Sequence, residues 1–283
     1  MKIFVFGSGG MLGSTLCSFL QSQKTNDILV IPLTRQDMDV SKASFESLSQ
    51  TLITANEGDV VVNCAGLIPQ YACGMCSSDD IFFAINSFFP QCLASFCNIR
   101  KLHLIHISTD CVFSGNGTGA YLESSTADET NVYGRSKFLG EPNITATILR
   151  TSIIGEEKRQ HKSLLDWART QRGKINGFTN HRWNGVTCVT LSDIIHKIIK
   201  AGLWWKGVRH IFSPSTVSKY ELLKYIATVY ELKESELDIL PVQCSQAIDK
   251  SLASDYRTCE SFQIPPIEQQ LTIARQFYIE QNK

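Results

Sequence analysis

The sequence predicts an α/β fold: a Rossmann-type, doubly wound parallel sheet with a smaller, mainly helical C-terminal part. Three observations predict it. Short apolar, strand-like runs alternate with stretches of helical spacing over residues 1–155. The first such run passes directly into a glycine-rich turn, Gly7-Ser8-Gly9-Gly10-Met11-Leu12-Gly13. Gly7, Asn63 and Thr109 each fall just after a strand-like run, where open α/β sheets bind their ligands.

The elements follow in order. Ile3–Phe6 is an almost wholly apolar strand, and Leu12, Leu16, Phe19 and Leu20 give residues 11–23 the spacing of a helix. Ile28–Leu33 is a second strand and Phe45–Ala55 a second helix. Asp59–Asn63 is a buried strand with its polar end at Asn63. Residues 81–97 make a long amphipathic helix containing Asn86 and Pro90, followed by a strand at Leu102–Ser108. A helix over Tyr133–Glu141 should stop at Pro142, and Thr147–Thr151 is another strand. Beyond residue 155 the alternation loosens, with helices expected at Ser163–Gln171, Leu191–Ala201 and Ser218–Tyr230. Residues 1–155 are therefore expected to bind a cofactor. Residues 156–283 should form a substrate-binding part interleaved with the last strands of the sheet.

Composition narrows the function. With 27 basic and 27 acidic residues the net charge is zero, so no basic field marks a nucleic-acid or membrane partner. No apolar run approaches the ~20 residues of a spanning helix. The N-terminus lacks the pattern of a signal peptide, so a cytoplasmic setting is expected. The ten cysteines then read as free thiols. Cys73-Gly-Met-Cys76 is a lone pair without the further ligands a zinc site needs, and no metal is expected. Asn116-Gly-Thr118 and Asn143-Ile-Thr145 match a glycosylation pattern by chance in an unsecreted chain.

The turn after the first strand suits a dinucleotide. Gly7, Gly10 and Gly13 supply a tight turn, a close approach to pyrophosphate and close helix–strand packing. The following helix, opening at Met11 and Leu12, offers free N–H groups and a partial positive charge. At the end of the second strand stands Arg35 rather than an acid. That favours NADP(H) over NAD(H), because an arginine can pair with a 2′-phosphate. Asp39 and Val40 are expected beside the adenine, and Cys64, Ala65 and Gly66 along the cofactor at the next strand end.

Tyr133 and Lys137 stand four residues apart on one helix face. An ammonium beside a phenol should lower the phenol's pKa, tuning it for proton transfer to or from a carbonyl oxygen or alcohol. Upstream, Ile107-Ser108-Thr109-Asp110 ends a strand, and a hydroxyl at Thr109 or Ser108 could share the oxyanion role. Arg182 and Trp183 could hold a diphosphate and stack on a base. His103 and His106 read as structural, Asp128-Glu129 as a loop that could border a substrate, and Trp204-Trp205 as packing between helix and sheet.

Together the Gly-x-x-Gly-x-x-Gly turn, Asn63-Cys-Ala-Gly66, Ser108-Thr-Asp110 and Tyr133-Gly-Arg-Ser-Lys137 resemble the extended short-chain dehydrogenase/reductases. Nearer still is the dTDP-4-dehydrorhamnose reductase group. Ile107-Ser-Thr-Asp-Cys-Val-Phe-Ser-Gly115 is similar to that group's Ser-Thr-Asp-Tyr-Val-Phe-Asp-Gly. Asn131–Lys137, Ile148-Leu-Arg-Thr-Ser152, Asn184-Gly-Val186 and Ser218-Lys-Tyr-Glu-Leu222 match as well. The resemblance covers nearly the whole chain.

It implies NAD(P)H-dependent reduction of the C4 ketone of a nucleotide-linked 4-keto-6-deoxy sugar, in deoxysugar and polysaccharide precursor synthesis. Tyr133 would be the proton donor, Lys137 would hold the nicotinamide ribose and depress the tyrosine pKa, and Thr109 would orient the carbonyl. Asn86 would support a proton-relay water, and Asp110 would touch the sugar. Cys111 and Ile153 stand where the group has aromatic side chains beside the sugar, so the exact sugar does not follow. The resemblance also admits an epimerase or dehydratase of the same superfamily. A third reading is a cofactor-binding regulatory subunit similar to that of methionine adenosyltransferase. Homodimerisation is left open.

Overall fold

Four consecutive apolar residues after Lys2 make β1 (Lys2–Phe6) a strand buried on both faces, as the centre of a parallel sheet requires. In the computed structural model, which describes residues 1–23, 27–72, 79–142, 145–157, 163–233 and 235–281, this strand leads through Gly7 into α1 (Met11–Ser22). Then come β2 (Leu29–Leu33), α2 (Phe45–Thr51), β3 (Val60–Asn63), α3 (Pro69–Ala72) and α4 (Asp79–Phe83). A π-helical segment, Ala84–Phe88, joins α4 to α5 (Phe89–Ile99). After it come β4 (His103–Thr109), α6 (Val132–Leu139), β5 (Thr147–Thr151) and β6 (Ile153–Ile154). The two cysteines of the Cys73–Cys76 pair and Asn143 lie outside the described residues.

The second half begins with α7 (Leu164–Thr170), β7 (Gly173–Phe178), β8 (His181–Trp183) and β9 (Val186–Thr187). It continues through α8 (Cys188–Ala201), β10 (Gly207–Ile211), β11 (Val217–Ser218) and α9 (Lys219–Val229). It ends with β12 (Leu237–Val242), β13 (Ile248–Asp249), α10 (Thr258–Ser261) and α11 (Ile267–Gln281).

The main sheet has the order β10-β5-β4-β3-β1-β2, and every ladder in it is parallel. One face, with Ile3, Val5, Val62, Ile105 and Leu149, packs on α1 and α8. The other, with Phe4, Phe6, Val61, Leu104 and Ile148, packs on α2 and α5. The strand order reverses between β1 and β3. Gly7 and Cys64 therefore flank the crevice at the topological switch point.

The C-terminal part is mainly helical, as expected, and also carries several short strands. β7 and β12 pair in parallel over six residues each, β11-β8-β13 form a small mixed sheet, and β6 pairs with β9. Most of these strands are too short to show a period of two in the sequence. They pack with α7, α9 and α11 around Leu165, Ile175, Trp183, Leu222, Ile226 and Leu271. Two C-terminal elements return to the first part: β10 extends the main sheet beside β5, and α8 lies on the same sheet face as α1.

The helix expected over 81–97 is present and runs from Asp79 to Ile99, with a π-helical segment at Ala84–Phe88. Taken as one stretch, Asp79–Ile99 is long and apolar enough, by length and composition alone, to cross a membrane. Asp79, Asp80, Asn86 and Pro90 hid this in the unbroken-run count. Phe82, Asn86, Phe89, Leu93, Phe96 and Cys97 are buried within the fold. The π turn loosens the backbone at Asn86, and α6 closes on it there. A Cβ on Gly140, just past α6, would sit on the Asn86 carbonyl oxygen.

Gly140→Ala should therefore cost about 2 kcal/mol or more by overpacking backbone against backbone. The check is thermal unfolding of the cofactor-free protein. An unchanged midpoint would contradict the close approach.

Candidate active site

Gly7 has φ +74°, the left-handed region that glycine enters freely. A Cβ there would lie 2.7 Å from the Ala65 nitrogen. A Cβ on Gly13 would collide with the Gly7 carbonyl, so α1 rests directly on the turn. Gly10 is the N-cap of α1 and provides no side-chain cap. The first-turn N–H groups are left to a ligand, the arrangement that binds phosphate. Met11 is partly buried against the core and Leu12 is buried in it, so these two contribute backbone. The cradle, with small residues at its closest approaches, fits a dinucleotide pyrophosphate.

Around the cradle, Cys64 donates its N–H to the Phe6 carbonyl, and the Asn63 side chain accepts from the Ala65 N–H. The loop after β3 is thus fixed against β1. A methyl on Gly66 would lie 3.5 Å from Asn86 Oδ1 and 3.9 Å from Lys137 Nζ. Gly66 therefore meets both side chains. Burial pushes the Cys64 thiol far up, so it is a neutral wall rather than a nucleophile. At the end of β2, Arg35 is exposed and 3.4 Å from Asp39 Oδ2. Exposed pairs of this kind contribute about 0–1 kcal/mol, so the guanidinium is readily re-paired. Asp39 caps the turn at Val40–Lys42, and Val40 packs on the core under it.

The catalytic candidates meet at the end of β4. Thr109 ends the strand, and its hydroxyl accepts from the Cys111 N–H and donates to Asp110 Oδ1 3.2 Å away. The Tyr133 phenol lies near enough for this hydroxyl to influence its pKa. Ser108, the other candidate, points to the opposite face, as successive strand residues must. Its hydroxyl donates to Glu141 at 2.6 Å. Asn131 caps α6 by accepting from Gly134 N–H, which sets the helix start so that Tyr133 and Lys137 face β4. The Lys137 ammonium, 5% exposed, donates to the Ile107 carbonyl at 2.7 Å.

The expected lowering of the tyrosine pKa by Lys137 is not what the structure shows. Burial pushes the Tyr133 phenol well above its ordinary value; Cys111 and Asp110 add to this, and the Thr109 hydroxyl opposes it. Lys137 spends its charge on the Ile107 carbonyl. Its own pKa is brought down to about 8 by burial, against the pull of Glu141 and Cys64. Desolvation outweighs the neighbouring charge for both groups. In the cofactor-free chain at neutral pH, Tyr133 is a protonated phenol beside a charged lysine.

Asn86 is fully buried. It accepts from the Leu67 N–H and donates to the Leu67 carbonyl and to the Ser136 hydroxyl. It thereby clamps the loop after β3 to α6. Asp110 is buried, which pushes its carboxyl up, while Lys250 and Lys219 pull it down. Cys111 lies beside it with its thiol pushed up to about 12 by burial. Ile153 is partly buried against the α1–α8 side of the core. Arg182 is half exposed with Nε 3.8 Å from Asp249 Oδ2. Trp183 corrects an expectation: it is 5% exposed and part of the C-terminal core, with the Lys219 ammonium 5.7 Å above its ring. Its ring is a core support, not an open stacking platform.

Several site residues were not singled out from the sequence. Lys219 and Lys250 bring cations to Asp110 and Cys111, and Lys250 pairs with Glu129 at 3.1 Å. Of the Asp128-Glu129 loop, Asp128 instead takes the Ser114 N–H and hydroxyl. The signal for Lys219 was its place in Ser218-Lys-Tyr-Glu-Leu222. Behind the site, Arg150 makes two bonds to Glu141, at 2.9 and 2.7 Å, and a third to His210. With Glu141 0% and Arg150 4% exposed, removing either partner alone would cost about 3–5 kcal/mol. His106, fully buried, bonds to Asn63 and stays neutral, because burial and the Lys137 charge lower its pKa. His103 stacks on Trp204 at 4.1 Å. Both histidines are structural, and no metal-ligating cluster occurs among the described residues.

The sequence profile of the family described as the RmlD substrate binding domain matches residues 1–258. Among curated proteins, the "Probable low-salt glycan biosynthesis reductase Agl14" of Haloferax volcanii is 25% identical over 279 residues, covering 92% of this chain and 89% of that one. A dTDP-4-dehydrorhamnose reductase of Mycobacterium tuberculosis is 31% identical over 157 residues, 54% of this chain and about half (48%) of the relative. Among solved structures, a dTDP-4-dehydrorhamnose reductase from Bacillus anthracis in complex with NADP superposes with a TM-score of 0.78 at 21% identity, over 99% of each chain. One from Clostridium acetobutylicum reaches 0.79 at 19% identity, over 98% of this chain and 99% of that one. At these identities the superpositions establish a shared fold.

Proposed function

The chain belongs to the RmlD substrate binding domain family, and from that premise we propose that it is an NAD(P)H-dependent reductase of a nucleotide-linked 4-keto-6-deoxy sugar, acting at the C4 ketone. The observation that carries this reading is the meeting of Thr109, Tyr133 and Lys137 at the end of β4, beside the glycine cradle. The relatives named as dTDP-4-dehydrorhamnose reductases support the substrate class, with dTDP the nucleotide they suggest.

Gly7, Gly10, Gly13 and the opening N–H groups of α1 would hold the cofactor's pyrophosphate, and Lys137 its ribose. The bound nicotinamide supplies the hydride. Thr109 and Tyr133 hold the carbonyl oxygen between two hydroxyls, where negative charge develops. Tyr133 gives its proton to the alkoxide, completing the alcohol. A phenol pushed up by burial is protonated at the start, as a donor in the reductive direction must be. An epimerase or dehydratase would need the phenolate first. Asp110, Cys111, Ile153, Arg182, Lys219 and Lys250 border the sugar nucleotide, with Trp183 supporting Lys219. The free buried thiols of Cys97 and Cys188 are in keeping with a cytoplasmic setting.

Tyr133→Phe should retain NADPH binding and lose about 10²–10⁴-fold in NADPH oxidation with dTDP-4-keto-6-deoxyhexoses. Undiminished turnover would remove Tyr133 from the mechanism. Arg35 accounts for a preference for NADP(H), through a charge-assisted bond to the 2′-phosphate. In titrations of cofactor fluorescence, Arg35→Ala should weaken NADPH about tenfold or more and leave NADH unchanged. Equal loss for both cofactors would assign Arg35 no part in the choice.

A further inference from the structure

Lys219 carries an ammonium that the protein leaves without an acceptor. Other cations beside the site are engaged. Lys137 donates to the Ile107 carbonyl at 2.7 Å, and Lys250 pairs with Glu129 at 3.1 Å. Arg182 leans on Asp249 and donates to the Thr216 carbonyl. Among the described residues, no oxygen accepts a hydrogen bond from the Lys219 ammonium and no carboxylate forms an ion pair with it. It stands instead over the Trp183 ring, 5.7 Å from the centroid.

The small β11-β8-β13 sheet accounts for this placement. β8 pairs antiparallel with β11, Ser218 opposite Arg182 and Val217 opposite Trp183. Successive strand residues face opposite ways, so Arg182 and Trp183 point to opposite faces of β8. Arg182 stays in the row of Ser218 and Asp249. Lys219 opens α9 directly after Ser218, whose capping box with Glu221 fixes the start of the helix, and its stem reaches the tryptophan. The indole lies close to the chemistry. A Cβ on Gly185 would strike both the Trp183 ring and the Ser152 carbonyl, and Ser152 follows Thr151, the register partner of Thr109. The ammonium is therefore held over a ring that packs against the strand end next to β4. Asp110 borders the same space, and its carboxyl and the ammonium each draw the other toward the charged form.

An ammonium taken partly out of water loses hydration that only an acceptor, best an anionic one, restores. In a sugar nucleotide the sugar offers hydroxyls, and the diphosphate is the anionic part. A compact charge with three rotatable donors suits phosphate oxygens. We propose that Lys219 binds the diphosphate of the sugar nucleotide from its place over the Trp183 ring. The proposal rests on the reading of the site as one for a nucleotide-linked sugar. It gives Lys219 the phosphate oxygens and leaves the ketone to Thr109 and Tyr133.

The test is calorimetric titration of dTDP, with UDP as second probe, into the full-length protein saturated with NADPH. Lys219→Met should weaken the diphosphate that the parent binds by about tenfold to a hundredfold, and Lys219→Arg should keep most of the affinity. Because no protein acceptor loses its donor, Lys219→Met should bind NADPH as the parent does and unfold at no lower temperature. Unchanged diphosphate affinity in Lys219→Met overturns the proposal, even where the KM for a keto sugar rises, since that would put the lysine on the sugar. A loss of affinity that comes with weaker NADPH binding and a lower unfolding midpoint also overturns it, making Lys219 a support of the fold. The reductase reading fails separately: a parent that binds dTDP through Lys219 yet oxidises no NADPH with keto sugars contradicts that reading and retains the diphosphate site. A parent that binds neither dTDP nor UDP contradicts both.

Discussion

A buried ammonium is the constraint around which this structure is organised. Lys137 is charged inside a protein interior, where an unpaired cation is costly. It is accommodated because the Ile107 carbonyl, two residues before the end of β4, accepts from it at 2.7 Å. Satisfying Lys137 fixes the rotation of α6, and that rotation sets Tyr133 beside Thr109. It also determines which loop lies opposite. Gly66, with no side chain, lets Asn86 and Lys137 approach the turn after β3. The π turn at Ala84–Phe88 places Asn86 so that one side chain ties Leu67 to Ser136. The glycine cradle and Tyr133 are thereby held in a single frame.

That frame revises the role of the Tyr133–Lys137 pair. Spacing alone suggests a phenol made acidic by its neighbour. In the folded chain the phenol is raised by burial, and the lysine's direct partner is a backbone carbonyl. The pair still suits ketone reduction, since a donor must begin protonated. Under the proposed mechanism, the charge of the lysine would serve the cofactor ribose and support the negative charge that passes through the tyrosine oxygen.

Much of this was legible in the sequence, for identifiable reasons. Runs such as Val60-Val-Val-Asn63 and Thr147–Thr151 declare buried parallel strands. Gly7, Gly10 and Gly13 can be recognised because close backbone approach leaves few other choices of residue. β10 was missed because Gly207-Val-Arg-His-Ile211 mixes polar and apolar residues, its Arg and His being taken up by Trp205, Arg150 and Glu123. α11 was missed because only Ile267, Gln270, Leu271 and Ala274 are buried on an otherwise polar helix. The resemblance already favoured Thr109 over Ser108, and the strand's facing supplies the physical reason, with Ser108 turned to Glu141. Trp183 was assigned to substrate because an aromatic beside an arginine looks the same in sequence whether it is a platform or a core residue. The direction of the Tyr133 shift needed the depth of burial, which no spacing encodes.

The central claim is that this scaffold passes a hydride from a nicotinamide to a sugar carbonyl while Tyr133 supplies the proton. It is tested most directly with NADPH deuterated at the transferable C4 position and a dTDP-4-keto-6-deoxyhexose, analysing the product by mass spectrometry and NMR. The account predicts one deuterium per product molecule, on sugar C4, with one NADPH consumed for each. A product carrying no deuterium, or sugar converted without net consumption of NADPH, would contradict it.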